Sequence, residues 1–110
     1  MNINIKKTGD LVTAAVEEYI NSKLLPLAKY IKHFDETGEA AIWLEVSRTT
    51  NHHKKGDVYL AAADLRLPHQ ILRAEESADD IHKAIDAVKD KLHGEIEKYK
   101  SKNLDHRRGS

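Results

Sequence analysis

Two stretches of alternating apolar and polar residues constrain the fold of this chain more than any other feature of its sequence. In residues 40–50, Ile42, Leu44 and Val46 share one face, and residues 57–67 repeat the same period of two. Such alternation is typical of β-strands that bury one face. The polar residues between the two stretches predict a turn. The sequence therefore predicts a hairpin of two long strands.

Shorter patterns on either side extend this hairpin into a four-stranded sheet. Residues 2–7 alternate as a short strand, and residues 70–74, which follow a turn at Pro68, are expected to form the last strand of a meander. No internal repeat or long linker interrupts the pattern. We expect a single domain over residues 1–102 and a basic, disordered C-terminal tail over residues 103–110.

Two helical stretches complete the pattern. Residues 11–25 repeat apolar side chains at helical spacing, with Asp10 as the expected N-cap. Pro26 is expected to kink or break this helix because it has no backbone N–H. Ser77 is the expected N-cap of the second helix, with Asp80 three residues later. Each helix has one apolar stripe, so the sequence predicts an α+β domain, β-α-β-β-β-α, with one four-stranded sheet, two helices packed on one face and an open opposite face.

The final helix has a narrow apolar stripe between two basic columns. At about 100° per residue, the stripe contains Ile81, Ile85, Val88, Leu92, Ile96 and Tyr99. One column contains Lys91, Lys98 and Lys102, and the other contains His82, Lys89, His93 and Lys100. Either this is a solvated helix whose lysine stems cover the edge of the core, or each lysine neutralises an RNA phosphate.

The composition excludes several classes of protein. No cysteine is present, which excludes disulfides and thiolate metal sites. No apolar run approaches the roughly 18 residues of a transmembrane helix. These features predict a cytoplasmic protein that does not associate with a membrane.

The charge balance bears directly on nucleic-acid binding. The 18 basic and 18 acidic side chains give a formal net charge of zero, whereas a simple RNA-binding domain is expected to be basic. The charges are segregated, however, with acidic residues clustered in 75–80 and basic residues in 98–108. Segregated charge can give a neutral protein a local positive surface.

Two further features leave alternatives open. Residues 52–56, His-His-Lys-Lys-Gly, form the expected hairpin tip, which is either an RNA contact or an ordinary polar turn. Trp43 lies on the opposite side of its strand from Ile42 and Leu44, so it is either packed in the core or half-buried, which we favour, or exposed for base stacking. No catalytic motif is recognisable, so we expect neither enzymatic activity nor a bound metal, cofactor or small-molecule substrate.

Several segments taken together resemble one family. They are residues 52–56, the strand end 64–68, the segment 72–80 (Leu-Arg-Ala-Glu-Glu-Ser-Ala-Asp-Asp), and the helical segments 84–86 and 90–92. In this order they are similar to the ribosome hibernation-promoting factor family, also called protein Y or ribosome-associated inhibitor. The resemblance implies a fold like that of double-stranded-RNA-binding domains. It also implies a short form, without the second, dimerising domain of long members.

The same resemblance implies a function. The chain is expected to bind the small ribosomal subunit and its ribosomal RNA in the channel for messenger and transfer RNA, to inhibit translation by steric exclusion, and to be a monomer when free. Together with the basic columns, it gives the candidate RNA-binding residues Lys23, Lys54, Lys55, Arg73, Lys83, Lys89, Lys91, Lys98, Lys100 and Lys102. Pro26 and Glu97 depart from the family pattern. The alternative function is a protein-binding or oligomerising module that uses the open sheet face.

Overall fold

The sheet and helices follow the predicted order. The computed structural model describes residues 1–7, 9–50 and 57–108. Its elements are β1 (Asn2–Lys6), α1 (Ala14–Leu24), β2 (Ala41–Thr50), β3 (Asp57–Leu67), β4 (Gln70–Ala78) and α2 (Ile81–Arg108). The strands form one sheet in the order β1-β2-β3-β4, in which β1 is parallel to β2 and the other neighbours are antiparallel. The predicted α+β fold is therefore confirmed.

The core lies between one face of the sheet and both helices. Ile42, Leu44 and Val46 of β2 are almost completely buried. The helices bury Val16, Ile20, Leu24, Ala84, Ile85, Val88, Leu92 and Ile96 against this face. Each large aliphatic side chain buried in this way contributes roughly 1.5–3 kcal/mol, which holds both helices on the same side. The opposite face, which we call the open face, has no covering element among the described residues.

The start of α1 differs from the prediction. Thr13, and not Asp10, is the N-cap, because its Oγ1 accepts a hydrogen bond from the Val16 N–H at 3.2 Å. Residues 9–12 form turns and bends instead, and Gly9 has a φ of +60°. Left-handed backbone of this kind favours glycine, and Gly9 belongs to the turn that precedes the helix.

The predicted break at Pro26 is confirmed. α1 ends at Leu24, and a 3₁₀ segment, Leu25–Tyr30, begins there with Pro26 in its first turn. Proline is tolerated at a helix start because the first N–H groups of a helix have no intrahelical acceptor. A second 3₁₀ segment, Lys32–Phe34, follows before the chain enters β2.

The junction between β4 and α2 also differs from the prediction. β4 extends to Ala78, and Ser77 pairs with Leu60 of β3, so Ser77 does not cap α2. Asp80 has that role. Its Oδ1 accepts hydrogen bonds from the N–H groups of His82 at 2.8 Å and Lys83 at 3.2 Å. The bond from the Lys83 N–H is the main reason that the pKa of Asp80 lies below its ordinary value.

The last helix is longer than the predicted domain. α2 is helical through Arg108 and passes Gly94 without interruption. Gly94 has no neighbouring atom within 4 Å of an added side chain, so its helical position reflects no close packing. The separation of residues 103–110 from the domain as a tail stays a prediction.

Candidate nucleic-acid interface

The exposed edge of the contact between α1, the first 3₁₀ segment and α2 is held by aromatic rings. The Tyr19 ring meets His82 with centroids 4.6 Å apart, and the Tyr30 ring meets His93 at 4.4 Å. We call this edge the seam surface. Its members are Tyr19, Lys23, Lys29, Tyr30, His82, Asp86, Lys89, His93, Glu97 and Lys100.

The tyrosine rings also position lysines. The Nζ of Lys23 lies 5.4 Å from the centre of the Tyr19 ring, and the Nζ atoms of Lys29 and Lys100 lie 5.1 and 5.8 Å from that of Tyr30. An ammonium group is attracted to the negative face of an aromatic ring, by about 0.5–1 kcal/mol at an exposed site. These contacts keep three positive charges along the edge of the seam surface.

Asp86 opposes this positive charge at one end of the seam. Its Oδ1 accepts a hydrogen bond from the Tyr19 hydroxyl at 2.6 Å and lies 3.8 Å from the Lys23 Nζ. The hydrogen bond to Asp86, followed by partial burial, raises the pKa of Tyr19 to about 12. The hydroxyl therefore remains a donor, and one carboxylate is shared between a neutral and a cationic partner.

Two further carboxylates oppose the lysines of α2. Glu97 Oε1 lies 3.5 Å from His93 Nε2 and 4.0 Å from Lys100 Nζ. Lys89 Nζ lies 2.7 Å from Asp90, and this hydrogen bond is the main cause of the raised pKa of Lys89. The seam is therefore a surface of alternating sign, and not a continuous positive strip.

The remaining predicted residues lie elsewhere. Lys91 reaches Glu76 of β4 at 3.6 Å, and Lys98 pairs with Glu95 at 3.7 Å. The basic column that contains these two lysines therefore faces away from the seam. Lys102 belongs to that column by its spacing, is exposed, and has no charged partner in the described part of the chain.

Two more predicted residues, Lys83 and Arg73, are separate from both columns. Lys83 pairs with Asp79 at 3.3 Å at the start of α2. Arg73 points to the open face of the sheet, where it pairs with Asp64 at 3.4 Å. Lys54 and Lys55 lie outside the described residues. Of the predicted residues that the structure describes, only Lys23, Lys89 and Lys100 lie together on the seam surface.

Two lysines of the helix side were missed from the sequence. Lys29 has a ring contact but no carboxylate partner within residues 1–7, 9–50 and 57–108, and Lys32 is exposed without either. Both line one shallow groove with Pro26. Residues three apart lie on one side of a 3₁₀ helix, which places Lys29 on the same side as Pro26 in the first segment. Lys32 begins the second segment.

Trp43 is half-buried and lies outside the core, which is one of the two packings expected from the sequence. It lies on the open face with 46% of its surface exposed, and the Arg66 guanidinium lies 4.9 Å from its ring centre. The inward positions of β2 belong to its aliphatic neighbours, so the alternation leaves the indole outside. Within the described residues no cluster of three metal-ligating side chains is found. No helix in that part of the chain is long and apolar enough to cross a membrane.

Comparison with known proteins identifies the family. A family model described as sigma 54 modulation protein / S30EA ribosomal protein matches residues 3–103. The chain belongs to the S30EA family. A ribosome hibernation promoting factor from Acinetobacter guillouiae is 32% identical over 96% of this chain and 93% of its own length. A ribosome hibernation promotion factor from Lactococcus lactis is 30% identical over 93% of this chain, which spans 51% of that relative.

Solved structures share the S30EA fold. A ribosomal subunit interface protein from Coxiella burnetii matches with a TM-score of 0.69 and 22% identity, over 92% of this chain and 99% of that one. The N-terminal domain of Thermus thermophilus Protein Y matches with a TM-score of 0.63 and 23% identity, over 89% and 94%. Each overlap covers about nine-tenths of this chain, so the fold is shared.

Proposed function

We propose that this chain is a ribosome hibernation factor that binds ribosomal RNA of the small subunit in the channel for messenger and transfer RNA, and inhibits translation by steric exclusion. The observation that carries the proposal is the seam surface, on which lysines from the first helical region and from α2 project along one edge. Two relatives named as hibernation factors are 30% and 32% identical to the chain. In this proposal the protein acts in the cytoplasm and catalyses no reaction.

The residue types of the seam suit contact with an RNA backbone. Lysine is a compact, mobile charge that can follow phosphates without the fixed geometry that base recognition requires. Contacts of this kind read the shape of a folded RNA and not its sequence. The proposed binding mode therefore depends on the number of lysines along the seam more than on the position of any one atom.

The carboxylates of the seam do not prevent this binding. An exposed ion pair contributes only about 0–1 kcal/mol, so a phosphate can replace Asp86 or Glu97 as the partner of a lysine. They do reduce the net positive charge that an approaching RNA meets. We therefore expect weaker binding than a strongly basic domain of equal size would show.

Salt dependence gives the sharpest test. Contacts from the seam lysines Lys23, Lys29, Lys89 and Lys100, and from Lys32 in the groove beside Lys29, to one phosphate each predict a slope of log Kd against log salt of roughly 4. Co-sedimentation with purified small subunits at rising salt measures that slope, and large subunits serve as the control. Absence of binding at low salt, or a slope near zero, would contradict the proposal.

Competition tests the location. Small subunits loaded beforehand with messenger RNA and initiator transfer RNA should bind the chain at least about tenfold more weakly than empty subunits, because the two ligands would occupy the same channel. Equal binding to loaded and empty subunits would contradict steric exclusion, even if the salt slope is as expected.

A further inference from the structure

The open face of the sheet has an exposed apolar patch at one end. Among the described residues three large hydrophobic side chains are exposed, and two of them, Trp43 and Ile71, lie on this face. Arg66 stands directly opposite Ile71 in the strand register and stacks over the Trp43 ring. Tryptophan and arginine are enriched among the residues that dominate protein interfaces. The patch therefore has the composition of a protein contact.

Most charges of the open face are neutralised within the chain. Lys6 pairs with Glu45 at 3.1 Å, and Arg73 pairs with Asp64 at 3.4 Å. Among the described charged side chains of the open face, Arg66 and Glu75 have no oppositely charged partner. The six charges that the described residues place on this face sum to zero, which disfavours a polyanion such as RNA as its occupant and favours a protein.

The two unpaired charges are arranged so that the face complements itself. Arg66 of β3 pairs in register with Ile71 of β4, and Ala62 of β3 pairs with Glu75 of β4. The rows of Arg66 and Glu75 are therefore four residues apart, or about 13 Å along the strand direction. Trp43 lies in the row midway between them. Consider a two-fold axis that lies in the plane between two facing sheets and crosses the strands at the Trp43 row. This axis exchanges the Arg66 row of one copy with the Glu75 row of the other, so each Arg66 lies near the Glu75 of the other copy.

We propose that the open face is a self-association site at which a second copy of this chain stacks sheet on sheet, with Trp43 near the two-fold axis and reciprocal Arg66–Glu75 pairs on either side. Four strands of about 25 Å offer roughly 500 Å² per copy, whereas a typical stable interface buries roughly 800 Å² on each partner. The dimer is therefore weak and forms at high protein concentration. The seam surfaces lie on its two outer sides and stay free to bind RNA.

Charge reversal tests the reciprocal pairs on the full chain without ribosomes. Sedimentation velocity over a concentration series should show a reversible monomer–dimer equilibrium for the wild type. Arg66→Glu and Glu75→Arg should each weaken the dimer at least about tenfold, because like charges then face each other. An equimolar mixture of the two variants should dimerise like the wild type, since in the mixed dimer every altered residue faces an opposite charge.

Two further variants complete the experiment. Trp43→Ala should also weaken the dimer by at least about tenfold because it removes the central apolar contact. Glu36→Arg, a charge reversal at an exposed position away from the sheet, should leave it unchanged. All altered side chains are exposed, and thermal unfolding checks that each variant folds.

Three results would overturn the proposal. They are a wild type that remains monomeric at its highest soluble concentration, variants that dimerise like the wild type, and a mixture that fails to associate although both variants fold. A Trp43→Ala variant that dimerises normally but binds small subunits more weakly would assign the face to RNA instead. These results do not depend on binding of RNA by the seam, so the two proposals fail separately.

Discussion

The two exposed sides of the molecule use different cations in different surroundings. On the seam surface the cations are lysines, positioned by Tyr19 and Tyr30 and opposed by acidic side chains of α2. On the open face Arg66 stacks on an exposed tryptophan, and the remaining charges are nearly all paired within the sheet. A formal net charge of zero thus hides two surfaces of different character.

This difference indicates two kinds of partner. A lysine ammonium is mobile and strongly hydrated, which suits contact with phosphates that remain in water. An arginine guanidinium is planar and stacks on aromatic rings, which suits a contact from which water is excluded. The helix side is therefore suited to a polyanion through charge, and the sheet side to a protein through burial and a few directed pairs.

The largest effect is expected for the two seam-side lysines that have no carboxylate partner among the described residues. Reversing both, in Lys29→Glu/Lys32→Glu, should weaken binding to small subunits at low salt about 100-fold, or about 2.7 kcal/mol. Lys6→Glu on the open face is the control, because it changes the net charge but not the seam. This variant should weaken binding to small subunits less than about twofold per charge reversed. Equal losses per charge would show that net charge and not the seam surface determines affinity.

A smaller effect, an increase in affinity for small subunits, is expected from a change at Glu97. Glu97→Gln removes the carboxylate between His93 and Lys100 while keeping the size of the side chain. Binding to small subunits at low salt should tighten about threefold, since a pair worth less than 1 kcal/mol no longer competes with a phosphate. Glu39→Gln, an exposed position before β2, is the matched control. Unchanged affinity for both variants would show that Lys100 does not contact RNA.

The fold could be predicted from the sequence because its signals are local. Periods of two and of 3.6 residues are set by the backbone alone, so they gave the strands, both helices and the buried stripe of α2. Both N-caps were predicted wrongly, and for α2 the reason is strand pairing. Ser77 is a good cap in isolation, but its pairing with Leu60 extends β4 past it, and Asp80 becomes the next available cap.

The candidate site was less predictable for a similar reason. Helical spacing gave the lysine columns of α2, but their carboxylate partners can lie on other elements, as Glu76 of β4 does for Lys91. The position of Arg73 on the open face is predictable from the sequence, because Arg73 alternates with Leu72 and Ala74, which face the core. The alternation therefore separates Arg73 from the lysines of the helix side.

The smallest expected effect is a shift in the pKa of Tyr19, whose hydroxyl donates a hydrogen bond to Asp86 at one end of the seam. Its hydrogen bond to Asp86 raises its pKa from 10.0 to about 12. Asp86→Ala removes both the acceptor and the negative charge, so the pKa should fall back towards 10.0. Tyrosinate absorbance during an alkaline titration measures this shift, and subtraction of a Tyr19→Phe titration isolates Tyr19 from the other tyrosines.

The sign of the accompanying stability change follows from linkage. Because the pKa of Tyr19 is higher in the folded state than the ordinary 10.0, the neutral hydroxyl stabilises the fold below that pH, and the stabilisation disappears as the pH rises through about 12. Wild type and Asp86→Ala should therefore differ less in stability at strongly alkaline pH than at neutral pH. Titration of Tyr19 near 10.0 in both proteins would mean that Asp86 does not accept this hydrogen bond in solution. Lys23 would then be the only partner of Asp86 across the contact between α1 and α2 within the described residues, and the carboxylate would compete with RNA phosphates more strongly than proposed.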